Sequence, residues 1–549
     1  MNAMNCLLSI SLVVLITFIT PTHANTSTSN SPHTTMSDAQ IQKKLTQHHR
    51  KNAAELLELI RQERFDDVEA FIRYTEKNKI LTRDGFPYFQ TMLEYWFTQH
   101  DSEAILTHLN NWITQNGKNT IALIARGDFY VTYAWKARGG GWAKDVKEEA
   151  WKLFRERLAK GRADYMRAVA HDPHNIYVYT GLMRIGLGDG DGERIFSALF
   201  QRAMVIAPDS YKMHHLRLQT LMPKWGGDWE AMFRFARETE KKAPPKTLLP
   251  VILALAHQEA AARSDNRMEY YSQPDVWKDI ERVYQRVISD FPQSGYWKTV
   301  LGWIASRAGK AELAREYWLS ALETDHNDRD TIDAIIRVYE REKKWDLVEK
   351  YSRQLIELYP NESYGYDSLG RLLTKAKKYR EAIDIYNHVI ALSPQTMRYW
   401  AERCYLHNTT EEFTKAIQDC TRAVEIDGKF ARGYGRICYA SNRLGKYSDA
   451  VKACTQAIGL SPSAEYWTNR CYAYNRLGNF TQALHDCNKA LEFDKNYSYA
   501  YHQRAYAHRQ LGQKQLSEDD QRMCEKITQS SCPLGEHVVL PSQTFPSNP

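Results

Sequence analysis

The sequence lacks the recognisable apparatus of an enzyme. It contains no HExxH, no GxSxG, no Walker loop and no GxGxxG following a strand-like segment. His171 and His174 in HDPHN stand beside Asp172, but no third metal ligand accompanies them, and helix-end polar residues explain the pattern. The adjacent His214 and His215 face different directions on a helix. The glycine triplet at 139–141 has no Lys-Ser/Thr continuation. No cofactor and no metal are expected. There is no concentrated basic stripe either: 73 Lys and Arg stand against 66 Asp and Glu, a net +7 in 549 residues, with both signs interleaved along the chain. That distribution argues against a nucleic-acid partner. Beyond residue 20 no apolar run reaches membrane length, so no membrane insertion is expected of the mature chain.

The N-terminus lacks one thing that an export signal usually has. MNAMNC carries no Lys or Arg. The rest of the pattern is complete: an apolar run over 7–20, Pro21 breaking it, and Thr22-His23-Ala24 as a cleavage site. The expectation is a signal peptide at 1–24 and a periplasmic or secreted product; the alternative is initiation at Met36 and a cytosolic protein. Residues 25–39 are Ser/Thr-rich and read as a disordered linker.

What the chain has in abundance is helical periodicity and self-similarity. YDSLGRLLTKAKKYREAIDIYNHVIALSP aligns with YGRICYASNRLGKYSDAVKACTQAIGLSP. Units begin at Ser363, Met397, Ala431, Ala464 and Ser498, and looser ones lie near 295–328 and 329–362. Position 4 is always Tyr or Trp (Tyr366, Trp400, Tyr434, Trp467, Tyr501), and position 20 is Ala382, Ala416, Ala450 and Ala483. Position 27 is Val389, Ala423, Ala457 and Ala490. Small residues sit where two helices approach closely, and Pro394 and Pro462 end the second helix. This pattern resembles the tetratricopeptide repeat, a helix-turn-helix that buries its apolar face only by stacking. The last unit has Ser517 and Gln521 at positions 20 and 24, as a solvent-facing capping helix should.

Residues 40–245 are also helical by period. ARGDFYVTYAWKARGGGWA at 125–143 and LFQRAMVIAPDSYKMHHLRLQTLMPKWGGDWEAMFRFARE at 199–238 resemble a bacterial family, domain of unknown function 4034. The resemblance implies a bacterial source and no assigned activity. Its PKWGG piece, Pro223 to Gly227, is a turn with Trp225 plugged in, or a ligand notch made by Trp225 and the amides of Gly226 and Gly227. The expected fold is therefore all-α, a right-handed superhelical α-solenoid preceded by an irregular helical-repeat domain. Its expected parts are the domain at 40–245, connecting helices at 246–294, repeats at 295–526 and an irregular tail at 527–549.

After signal removal eight cysteines remain. Cys404/Cys420, Cys438/Cys454 and Cys471/Cys487 each occupy positions 8 and 24 of one repeat. The neighbouring unit carries Gly370 and Tyr386 there, so Cys occurs at both positions or at neither. Coupled occurrence points to three disulfides within repeats, with Cys524 and Cys532 as a tail staple. Free thiols, or pairing to the next repeat, are the alternatives.

In such repeats the resemblance implies that positions 2, 5, 9, 12 and 13 face a concave groove. Position 9 is Tyr405, Tyr439, Tyr472 and Tyr506; position 12 is Asn408, Asn442, Asn475 and Arg509; position 13 adds Arg443 and Arg476. The ladder suits an extended peptide, with Asn reading its backbone and Arg its acidic groups. The alternative is that Tyr packs between helices and Asn prepares the turn. Carboxylate-clamp repeats use Lys and Asn at positions 5, 6 and 9, where this chain has Ala401, Glu402 and Tyr405, so that clamp is not carried over. The expected function is a non-enzymatic scaffold of the bacterial envelope that binds a protein or peptide partner. A spacer, or an enzyme with its site in the N-terminal domain, are the other readings.

Overall fold

The computed structural model describes residues 35–532 apart from 48, 99–102, 140–144, 191 and 327. The expected signal peptide, most of the expected linker, Gly140, Gly141 and the tail beyond 532 lie outside the described residues. The described residues form 28 α-helices and no strand, an all-α solenoid of helical hairpins. Ser37 caps a helix that starts at Asp38, so the helical region begins two residues before the expected position 40. No helix among the described residues is long and apolar enough to cross a membrane. The chain forms two compact units, one ending at Val338 and one starting at Tyr339.

The first unit is built on a long hairpin, Thr120–Arg138 against Glu148–His171. Asn119 starts it, its side-chain oxygen accepting from the amides of Ile121 and Ala122. Trp96, Trp112, Phe71, Phe89, Phe97 and Phe154 fill the surrounding core. Tyr165 packs so closely on Gly181 that a Cβ there would meet its ring at 2.1 Å.

In the second unit each repeat is a helix A of 13 residues and a helix B of 14 or 15, from Ser363–Lys375 and Tyr379–Leu392 to Ser498–Gln510 and Lys514–Thr528. Ala382, Ala416, Ala450 and Ala483 at position 20 are fully buried, as small residues must be where helices touch. Every A–B turn closes alike. Its position-15 residue has positive φ, and the next amide donates to the carbonyl five residues before it, as in Lys446 to Ser441 (2.8 Å). Gly445, Gly478 and Gly512 take that conformation readily; Lys377 and Glu411 adopt it at a steric cost.

Candidate functional site

A covalent and an ionic device, singly or together, fix helix A against helix B in four of the five repeats, and so decide which face of helix A is left over. The disulfides Cys404–Cys420, Cys438–Cys454 and Cys471–Cys487 form within repeats, with Cα–Cα distances of 5.4, 5.3 and 5.6 Å. Cys524–Cys532 ties the end of the last helix, at 6.2 Å. In the repeat without cysteines, a Cβ on Gly370 would stand 3.0 Å from the Tyr386 ring, so the tyrosine fills the space that a disulfide fills elsewhere.

The second device escaped the sequence reading. Arg403, Arg470 and Arg504 at position 7 each make a bidentate pair with position 23 of their own repeat: Asp419, Asp486 and Asp520, at 2.5–2.9 Å. Each also donates back to position 25 of the preceding repeat: to Asn387, Thr455 and Asn488. Arg126 holds Asp164 and Asn110 in the same way in the first unit. The signal was available in the repeats, since Arg403, Arg470 and Arg504 each precede their Asp by 16 residues, the same spacing as the cysteine pairs.

Three tyrosines of position 9 rest against the residue that opens the preceding helix B, the first two edge-on and the third tilted. The pairs are Phe413–Tyr439, Tyr447–Tyr472 and Phe480–Tyr506, with ring centroids 6.2, 6.1 and 6.5 Å apart. Tyr439 is buried, at 3% exposure. Tyr405, Tyr472 and Tyr506 keep part of their surface open. Arg436, itself buried, lies over Tyr405 and donates to the Ala401 carbonyl at 2.6 Å. Burial pushes its guanidinium down to about 10.

The asparagines of position 12 correct the sequence reading. Asn408, Asn442 and Asn475 are 5%, 2% and 4% exposed. The Asn442 amide donates to the backbone carbonyl of Asn469 (2.8 Å), and that of Asn475 to the carbonyl of Gln503 (2.9 Å), each on helix A of the next repeat. Asn408 makes only a 3.6 Å contact to the Cys404 sulfur. These amides join repeat to repeat and do not reach a partner's backbone. Position 12 faces the neighbouring helix A, where a short polar side chain adds a second bond to a carbonyl already held within its own helix.

The cations of this face sit on aromatic rings. The Arg443 guanidinium lies 4.6 Å from the Phe413 centroid, and that of Arg476 lies 5.6 Å from Tyr447. Lys375 stands 3.9 Å from the centroid of Trp345. Arg443 also donates to the Tyr439 hydroxyl (2.9 Å) and to Glu411 (3.0 Å). Arg509 is exposed. Two carboxylates are set among these cations. Burial pushes Glu402 upward and Glu465 up to about 7, and Glu465 Oε1 is buried without a hydrogen-bond partner.

The remaining motifs take local structural roles. Asp172 accepts from the amide of His174 and the side chain of Asn175, and Asn175 caps the next helix. His214 bonds the Ser210 carbonyl, while His215 turns towards Tyr211. Pro223–Trp225 is a 3-10 turn. Its following amides, of Gly226 and Gly227, donate to the carbonyls of Pro223 and Met222, which leaves no notch of free donors. Gly227 is required there, because a Cβ would lie 2.1 Å from the Leu221 oxygen. Trp225 is not plugged in: it stays 39% exposed, edge-on to Trp135.

The comparisons with known proteins agree with this architecture. A family model described as domain of unknown function (DUF4034) matches residues 52–191, and tetratricopeptide-repeat models match residues 364–396 and 464–497. The chain thus carries tetratricopeptide repeats in its C-terminal half and a DUF4034 region towards its N-terminus. No curated protein matches it. Among solved structures it is similar to YrrB, described as a TPR protein with an unusual peptide-binding site: 16% identity, 34% of this chain and 97% of that one, TM-score 0.33. It is also similar to a tetratricopeptide repeat protein from Parabacteroides merdae, at 15% identity over 43% of this chain and 93% of that one, TM-score 0.33. MamA from Desulfovibrio magneticus RS-1 is similar at 18% identity over 30% and 94%, TM-score 0.29.

Proposed function

We propose that this chain is a non-enzymatic scaffold of the bacterial cell envelope, holding an extended peptide or protein segment on the inner face of its C-terminal repeats. One observation carries the reading. The packing faces of helix A are closed by disulfides, Arg–Asp pairs and asparagine bridges, while positions 9 and 13 keep Tyr405, Arg443, Tyr472, Arg476 and Tyr506 at least partly open across four successive repeats. Tyrosine and arginine offer contact area and hydrogen bonds at small ordering cost. Export is supported by the four disulfides, which persist in oxidising compartments, together with the apolar run at 7–20 and its cleavage site.

The test is site-specific photo-crosslinking in cells. A photoreactive residue at 405, 472 or 506 should capture one and the same partner, and one at the exposed outer positions 421, 452 or 482 should not. Capture from the outer positions alone overturns the reading. N-terminal sequencing of the mature protein should show the cut after Ala24; a cytosolic product beginning at Met36 contradicts export.

The enzyme reading has one feature in its favour. His257 joins the Tyr270 hydroxyl (2.9 Å) to Asp279 (3.2 Å). Arg237 and Arg282 hold that Asp at 2.8 and 2.9 Å, and burial pushes the Tyr270 phenol up to about 12. A carboxylate so neutralised and a phenol so weakly acidic tie helices together better than they move protons.

A further inference from the structure

We infer that the partner segment is acidic, and that the aromatic-seated cations of the inner face take up its Asp and Glu side chains. The inference rests on the groove reading above and names the chemistry of its occupant.

The seats recur with the repeat. The residue that opens each helix B is Trp345, Tyr379, Phe413, Tyr447 and Phe480 in five successive units. Position 13 of the following helix A comes to that ring. Where position 13 is a cation, it sits on the ring: Lys375 on Trp345, Arg443 on Phe413 and Arg476 on Tyr447. A guanidinium held against a ring has less freedom to lose on binding, and its donor edge keeps the planar fork that suits a carboxylate. Arg443 already shows what it takes. Its second nitrogen donates to Glu411 at 3.0 Å, and that carboxylate is 69% exposed. The guanidinium is only 18% exposed, but the carboxylate it holds stands in water, so a partner carboxylate can take the place of Glu411 on the same nitrogen.

The charge balance points the same way. Positions 2, 5, 6, 9 and 13 of the five repeats hold seven Lys or Arg and three carboxylates, Asp367, Glu402 and Glu465. This face therefore carries a net +4, more than half of the +7 of the whole chain. Asp367 is tied to Arg398. In sequence Glu402 falls between Lys375 and Arg443, and Glu465 between Arg443 and Arg476, so cations and acids alternate along the repeats. A polypeptide with spaced acids fits that alternation better than a nucleic acid does. Positions 5, 6 and 9 hold no Lys, and their one Asn, Asn469 at position 6, is fully buried, so the acids concerned are side chains and not a C-terminus.

Fluorescence anisotropy with the mature full chain tests this. The probe is a labelled, C-terminally amidated poly-L-glutamate of about 18 residues, run beside poly-L-glutamine, poly-L-lysine and a single-stranded oligonucleotide of equal length. The glutamate probe should bind, and more weakly as salt rises. The triple variant Lys375→Gln, Arg443→Gln, Arg476→Gln should bind it at least about tenfold more weakly, since each lost cation removes roughly two- to fivefold. Lys452→Gln on the outer face should leave binding unchanged, and Arg443→Lys should retain part of it. Failure of the glutamate probe to bind, or equal binding by the triple variant, overturns the inference. Glutamine bound as tightly as glutamate leaves the groove reading standing and removes the acidic partner. Tighter binding of the oligonucleotide replaces the peptide with a nucleic acid. The crosslinking at 405, 472 and 506 judges the groove independently.

Discussion

Replacing Asn442 and Asn475 by Ala separates a packing role from a partner-reading role. Each substitution deletes one buried amide donor and leaves a buried carbonyl, of Asn469 or Gln503, without it. Each carbonyl keeps the bond of its own helix, so the loss is one buried hydrogen bond, about 1 kcal/mol. The two sites lie at successive repeat junctions, and the terms of a solenoid add between neighbours, so the double variant should lose about 2 kcal/mol. For a unit of this size, that lowers Tm by about 4–8 °C. Asn408 is the internal control. Its amide has no carbonyl partner, only the 3.6 Å sulfur contact, so Asn408→Ala should cost under about 1 kcal/mol despite equal burial. The assay is thermal unfolding of the full chain followed by circular dichroism, with partner capture measured at a temperature where every variant is folded. A double variant that melts like the parent but loses its partner refutes the reasoning, and returns the asparagines to the binding face.

Three further outcomes follow from the same geometry. Cys438→Gly with Cys454→Tyr copies the Gly370/Tyr386 pair of the neighbouring repeat; it should melt above the double Ser variant, which loses a cross-link worth about 3 kcal/mol, and equal melting would show that the two fillings are not equivalent. Arg470→Ala leaves Asp486 buried at 1% exposure without its bidentate partner and should cost about 3 kcal/mol in urea unfolding, whereas Arg470→Met with Asp486→Leu should lose far less; similar losses would refute the desolvation argument. Glu465 has its folded pKa raised by burial to about 7 from 4.5, so its contribution is complete below pH 4.5 and is lost as pH rises through 7. Glu465→Gln should therefore gain about 1–2 kcal/mol over the parent at pH 8 and nothing at pH 4, and a gain that is the same at both would contradict it.

The repeats were legible because their contacts are stereotyped: Ala at position 20 and a small residue at 27 are demanded by helix approach, whatever the partner. The disulfides were legible because Cys appeared at positions 8 and 24 together. The asparagines were misread because position 12 was assigned to the groove from the repeat resemblance, while its partner, a backbone carbonyl on the next helix A, leaves no trace in side-chain identity. Yet a trace of another kind was present. Asn follows Cys by four residues in three repeats (Cys404/Asn408, Cys438/Asn442, Cys471/Asn475). The repeat with Gly370 has Thr374, which bonds back to its own helix at 2.8 Å, and the last repeat pairs Ala505 with Arg509. A residue that covaries with a buried disulfide inside its repeat answers to the interior, not to a partner. The cations of position 13 behave differently: Lys375, Arg443 and Arg476 occur both with and without cysteine in their repeat, and what they share is the aromatic seat in the unit before. Packing within a repeat does not require a cation there, since Thr409 and Gln510 occupy position 13 in the other two repeats. Of the residues on this face, those cations are therefore the ones whose identity the fold leaves open and a partner can select.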